Sequence, residues 1–330
     1  MRLFIGYQSA LYFWLRGSSG LWAAEPCRVH SLSHCAYNVL DVQSFLLPRD
    51  AFGPNPLHIM VDSPAKRRDT ALQKCHVWMT PIAEKSFVAI GHNVFVASPA
   101  LCFLQAANSL SYFELAELGY ELCGAYSRTP GSGKGLIDRY NRLTTPKQIE
   151  TICQKLEGAS GRKIALKAVK RVLPDSKSPT ETDMAIKTVF SLIEGGHGFP
   201  HPELNGEVPL TDEASQIACK PRVYPDMMWR KEKLCLEYES HLHHELASDR
   251  KRDSVRRNAL GCMGFKVITV TPSQLKSIAE FDGIMSEVAR HLGIRIRPTS
   301  QRTFEKRFEL NEAIKKRMRD DLKPSEWPYV

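Results

Sequence analysis

Within PDMMWRKEKLCLEYES, residues 225–240, three acids stand in what otherwise reads as a buried hairpin: Asp226, Glu237 and Glu239. Burying an unpaired carboxylate is costly, so acids in such a place need a metal, a cation or a proton as partner. Side chains alternate faces along a strand. In KLCLEYE this puts Cys235, Glu237 and Glu239 on one face and Leu234, Leu236 and Tyr238 on the other. With Arg230-Lys231-Glu232 as the turn, Asp226 lies on the partner strand and reaches the same face. Carboxylates converging at a strand end suit a hard divalent cation, Mg²⁺ or Mn²⁺, which takes oxygen ligands. The competing arrangement is a solvated strand face with lysines opposite.

The elements that must hold these acids follow from pattern. SPTETDMAIKTVFSLIE (178–194) places Ile186, Val189, Phe190 and Ile193 at helical spacing and opens on a capping-box pair, Ser178 and Glu181. After the hairpin come a charged helix (246–261), a strand FKVITV (265–270) and closing helices. Upstream, 57–62, 74–79, 86–90 and 93–97 read as short strands, and 98–107 and 114–124 as helices. The fold class is therefore α/β, with a mixed sheet flanked by helices in the C-terminal half. The expected organisation is an N-terminal module (1–144), a basic helical connector (145–176), a second domain (177–296) and a charged tail (297–330) with a helix near 303–319.

The formal charge of +9 favours an anionic partner, nucleic acid before an acidic membrane. Nine cysteines without a repeated spacing suit reduced thiols and a cytoplasmic setting. The opening MRLFIGYQSALYFWLRG resembles a leader in its apolar content, but Gln8, Ser9 and Arg16 interrupt it, and cleavage is not expected. GSGKG (131–135) has the wrong spacing for a phosphate loop and reads as a linker.

An acid, a hairpin turn, then a Glu inside an apolar strand resembles the PD-(D/E)xK nuclease superfamily, and Pro225-Asp226 matches the first half of that motif literally. The finer likeness is to the branch similar to very-short-patch-repair endonucleases, found as a domain in actinobacterial proteins. EYESHLHH (237–244), DSVRRNALGCMGFKVITVT (253–271) and SPTE (178–181) carry it, over roughly 175–280. The resemblance implies a restriction-endonuclease-like αβββαβ core and metal-assisted hydrolysis of phosphodiester bonds, in DNA first. It implies that Asp226, Glu237 and the Tyr238 carbonyl hold Mg²⁺, with Glu239 and Glu181 completing the site. Glu239 stands where the superfamily has lysine, so the resemblance assigns His243 as general base or transition-state stabiliser; a histidine titrates near neutrality. Asp253 and Arg256 match the branch's D-x-x-R, one of them bracing the site. Arg250, Lys251, Arg252, Arg256 and Arg257 supply a phosphate-binding face, unless the helix is merely solvated. SALYFW (9–14), VASPALCFLQAA (96–107) and ELAELGYELCG (114–124) make the first region similar, more distantly, to antitoxins of the abortive-infection type. Two alternatives stay open: a non-catalytic nucleic-acid-binding regulator on the same scaffold, and an RNA-directed nuclease. A homodimer or a regulatory protein partner is compatible with either, and no membrane span is expected.

Overall fold

The computed structural model describes residues 1–16, 25–47, 50–91, 93–128, 136–239, 247–296 and 299–317; for 25–26, 247–253 and 317 it describes the backbone. The chain divides into two compact units, Met1–Pro174 and Asp175–Arg319. The fold class is α/β.

In the first unit, β1 (Leu3–Ile5) leads into α1 (Tyr7–Leu15), followed by β2 (Glu25–Pro26), α2 (Val39–Gln43), β3 (Leu57–Val61), β4 (Gln73–Val77), β5 (Phe87–Gly91) and β6 (Val94–Ala97). The strands form one sheet in the order β2-β5-β6-β1-β3-β4. β1 is central, parallel to β6 and antiparallel to β3, and all its residues are buried. A strand enclosed in this way has an apolar run rather than an alternating one, which is why its segment resembles a leader. The aromatic α1 that follows is also core: Phe13 and Trp14 are buried, and Trp14 Nε1–H donates to the Ala97 carbonyl at 2.8 Å.

The unit is completed by α3 (Pro99–Ala106), α4 (Tyr112–Cys123), the hairpin β7 (Tyr126–Arg128) and β8 (Leu136–Asp138), α5 (Pro146–Lys155) and α6 (Arg162–Val169). Ser98 and Ser111 accept the backbone N–H groups of Leu101 and Glu114, capping α3 and α4. The stretch expected as a connector is two helices, parted where Gly158 and Gly161 take φ of +82° and +78°. Ile149, Ile152, Ala165 and Ala168 are buried as these helices pack on α3 and α4, so the basic side chains ride on elements of the first unit.

The second unit runs α7 (Pro179–Val189), β9 (Glu203–Leu204), β10 (Val208–Pro209), α8 (Asp212–Ala218), β11 (Arg222–Val223), β12 (Met227–Trp229), β13 (Leu234–Tyr238), α9 (Ala247–Cys262), β14 (Lys266–Val270), α10 (Pro272–Lys276), α11 (Ile278–His291) and α12 (Gln301–Arg317). Its main sheet has the order β14-β13-β12-β9. β9, β12 and β13 are antiparallel neighbours, whereas β14 joins β13 in parallel after the α9 crossover. With β10, α8 and β11 taken as an insert between β9 and β12, the element order is α-β-β-β-α-β. Leu234, Cys235 and Leu236 of β13 are fully buried. Cys235 and Met228 pack with Ala214 of α8 and Ala259 and Leu260 of α9. The face of β13 that carries Glu237 therefore points to α9.

The expected tail contributes α12, whose Leu310 and Ile314 are buried. It packs on the turn at Leu192–Glu194, and Arg307 ion-pairs with Asp282 of α11. Gly195 ends that turn at φ +92°, and a Cβ there would run into the Lys306 carbonyl. Gly195→Ala is expected to destabilise the protein by about 2 kcal/mol, read as a lower urea midpoint; an unchanged midpoint would contradict the docking of α12. Among the described residues the cysteines form no disulfide, and no helix is long and apolar enough to cross a membrane.

Candidate active site

The site grows from the β12–β13 hairpin. Met227 pairs with Leu236, so one step earlier Asp226 faces Glu237 across the ladder. The half-buried Asp226 accepts the Tyr238 N–H on Oδ2 at 2.8 Å, and its carbonyl accepts the Asn205 N–H at 3.2 Å. The turn is Arg230–Lys233, one residue longer than expected, with Lys233 in the left-handed region at φ +49°. Glu237 is buried, and its Oε2 accepts from Arg256 Nη2 of α9 at 2.6 Å. Alternation on β13 and the packing of α9 together dictate this pair, which gives the buried carboxylate a counter-ion.

Glu181 enters from the first turn of α7. Ser178 Oγ accepts its backbone N–H at 3.1 Å, which caps the helix. The expected reciprocal half of the capping box is replaced. The Glu181 carboxylate reaches one residue further back, accepting the Lys177 N–H at 2.8 Å on Oε2, and takes the Ser178 hydroxyl at 3.0 Å on Oε1. Asn205 Nδ2–H also donates to Oε2, at 2.7 Å. Despite these donors, burial first and the negative charge of Asp226 second push the Glu181 carboxyl up to about 7. Burial is the larger cause, and the nearby Asp226 charge acts in the same direction.

Glu181 and Asp226 open into a cleft of about 500 Å³ walled by Lys177, Lys220, Arg222 and Tyr224. Lys177 Nζ sits 5.2 Å from the centroid of the Tyr224 ring. Arg256 lines this cleft and also a smaller recess that holds Glu237, Glu239, Arg257 and Thr269. It stands between the two.

The predicted residues fall out as follows. Glu181 and Asp226 share the cleft, while Glu237, opposite Asp226 on the ladder, lines the recess. Glu239 lies in the recess beside exposed Arg257, at 3.8 Å, and its N–H donates to the Val270 carbonyl. Arg256, expected on a phosphate-binding face or, with Asp253, as the candidate brace, is paired with Glu237; the side chain of Asp253 lies outside the description. His243, with His241 and His244, lies outside the described residues, as does GSGKG. Arg250, Lys251 and Arg252 are on the backbone of α9, their side chains outside the description. Asn205 went unnoticed in the sequence. Its φ of +49° beside Gly206 marks a turn, and turn residues of this type are common enough to carry no functional signal.

As a donor set, carboxylates and a backbone carbonyl are hard oxygens that suit Mg²⁺ or Mn²⁺. Among the described residues no group of three or more His, Cys, Asp or Glu side chains is gathered for a metal, and the cation on Glu237 is a guanidinium. The chemistry of the set fits a divalent ion, with Arg256 as its competitor. Compared with family models, with curated proteins and with solved structures, the chain matches none.

Proposed function

We propose that the second unit is a metal-dependent endonuclease that hydrolyses phosphodiester bonds, DNA being the first substrate to test. The observation that carries this is a chain of acids at one end of a sheet whose elements run α-β-β-β-α-β: Glu181 of α7 shares a cleft with Asp226, and Asp226 faces Glu237 of β13 across the ladder. That order is the one the resemblance to PD-(D/E)xK nucleases implies. A divalent ion bound there would polarise the phosphate and lower the pKa of the attacking water. Asp226, oriented by the Tyr238 amide, and Glu237 would hold it, with the Tyr238 carbonyl and Glu239 as further oxygens. Glu181 would hold or release a proton at its carboxyl beside the reacting water. Lys177, Lys220 and Arg222 would receive the flanking phosphates in the cleft. His243 keeps its proposed place as general base.

One observation favours the non-catalytic regulator: Arg256 already neutralises Glu237, as in a site that needs no metal. The two readings part in a panel of supercoiled plasmid, linear duplex, single-stranded DNA and RNA, each with and without Mn²⁺. Cutting of any of them only with Mn²⁺ supports the enzyme and identifies its substrate. Salt-sensitive binding without cutting supports the regulator.

A further inference from the structure

Glu237 and Arg256 differ in their access to water. The glutamate side chain is 8 % exposed, the arginine side chain 32 %. Glu237 sits on a central strand, its neighbours Cys235 and Leu236 fully buried, so its carboxylate cannot turn out to solvent. While it is ionised, the carboxylate needs a cation beside it. Arg256 is on a helix and lines both the recess with Glu237 and the cleft with Lys177, Lys220 and Arg222. A guanidinium binds phosphate oxygens as well as it binds carboxylate oxygens.

We infer that Arg256 is a displaceable internal counter-ion, held on Glu237 until a nucleic-acid phosphate in the cleft draws it away and a divalent cation takes its place. This rests on the nuclease reading and adds its regulation: metal and nucleic acid bind cooperatively. Metal alone must expel Arg256 into water, where it gains little. Phosphate alone would strip a buried carboxylate of its cation. Together each ligand removes the obstacle to the other. Linkage makes the effect reciprocal, so the factor by which DNA tightens Mn²⁺ equals the factor by which Mn²⁺ tightens DNA. The balance of charge also improves, since the phosphate brings a negative charge for the arginine as the metal arrives at the acids.

The test uses the full chain. Mn²⁺ binding is measured from the free-ion resonance signal, and binding of a fluorescent mixed-sequence duplex from its anisotropy, for wild type, Arg256→Gln and Arg256→Lys. A DNA-only control removes the Mn²⁺ held by the duplex itself. Wild type is expected to bind Mn²⁺ about tenfold more tightly with duplex than without. Arg256→Gln is expected to bind Mn²⁺ about tenfold more tightly than wild type in the absence of DNA, and to lose the coupling. Arg256→Lys, still a cation, stays closer to wild type. Melting curves keep the test readable where the Gln variant is weakened, since Mn²⁺ then raises its melting temperature more than that of wild type. Equal Mn²⁺ affinity in wild type and Arg256→Gln, with coupling intact, overturns the counter-ion while leaving a metal site standing. No Mn²⁺ binding by any of the proteins, with or without duplex, overturns the metal reading and the inference with it.

Discussion

Under the proposed nuclease activity, Asp226→Ala and Glu237→Ala are each expected to lower Mn²⁺-dependent cleavage by about 10²–10⁴-fold, the loss when several kcal/mol of transition-state stabilisation disappear. The structural side effects differ between the two. Asp226 accepts the Tyr238 N–H, so alanine removes that acceptor, whereas Asp226→Asn keeps an oxygen for it. Glu237→Ala removes the partner of Arg256, but an arginine side chain 32 % exposed finds solvent, so the stability loss stays below that of a fully buried pair. Single-turnover rates on the preferred substrate check the loss, with circular dichroism to confirm folding. Activity within tenfold of wild type in either variant would remove that acid from the site.

Glu181→Gln changes how stability depends on pH. In the metal-free protein burial and the Asp226 charge raise the Glu181 carboxyl from 4.5 to about 7. Between those values the folded chain keeps a proton that the unfolded chain has lost. Stability contributed by this group is therefore full below pH 4.5, declines as pH rises, and is flat above about 7. The decline is on the order of 3 kcal/mol, since each pH unit between the two values is worth about 1.4 kcal/mol. Glutamine cannot titrate, so the gap between wild type and Glu181→Gln narrows or inverts from pH 4.5 to 7. The exchange also sets an amide against the Lys177 and Asn205 donors, a penalty independent of pH, so the slope is the diagnostic quantity. Urea unfolding at several pH values measures it. Parallel curves across this window would mean that Glu181 is ionised throughout.

How far this arrangement was legible depended on the range of the interactions involved. The faces of β13 could be read because alternation is local to KLCLEYE, and Asp226 could be placed because the hairpin turn is short. The ion pair of Glu237 with Arg256 could not, since it needs the crossover that lays α9 on the sheet. The matching D-x-x-R spacing hinted at a brace without saying which acid it served. β1 and α1 were hidden for a different reason: a central strand and an aromatic buried helix lack the amphipathic period that marks surface elements. The insert of β10, α8 and β11, which brings Arg222 and Tyr224 to the cleft, is made of elements two to seven residues long, too short to leave a hydrophobic period in the sequence. The basic 145–172 stretch showed its charges in sequence, while the apolar faces that tie it to α3 and α4 became visible only as packing.

The measurement that bears most directly on the central claim is the conversion of supercoiled plasmid to nicked or linear product by the purified chain with Mg²⁺ or Mn²⁺, alongside Glu237→Gln prepared identically. Metal-dependent conversion by wild type and none by Glu237→Gln is the predicted result. Equal conversion by both would place any cutting elsewhere, and intact plasmid with wild type that nonetheless binds DNA would make this fold a regulator.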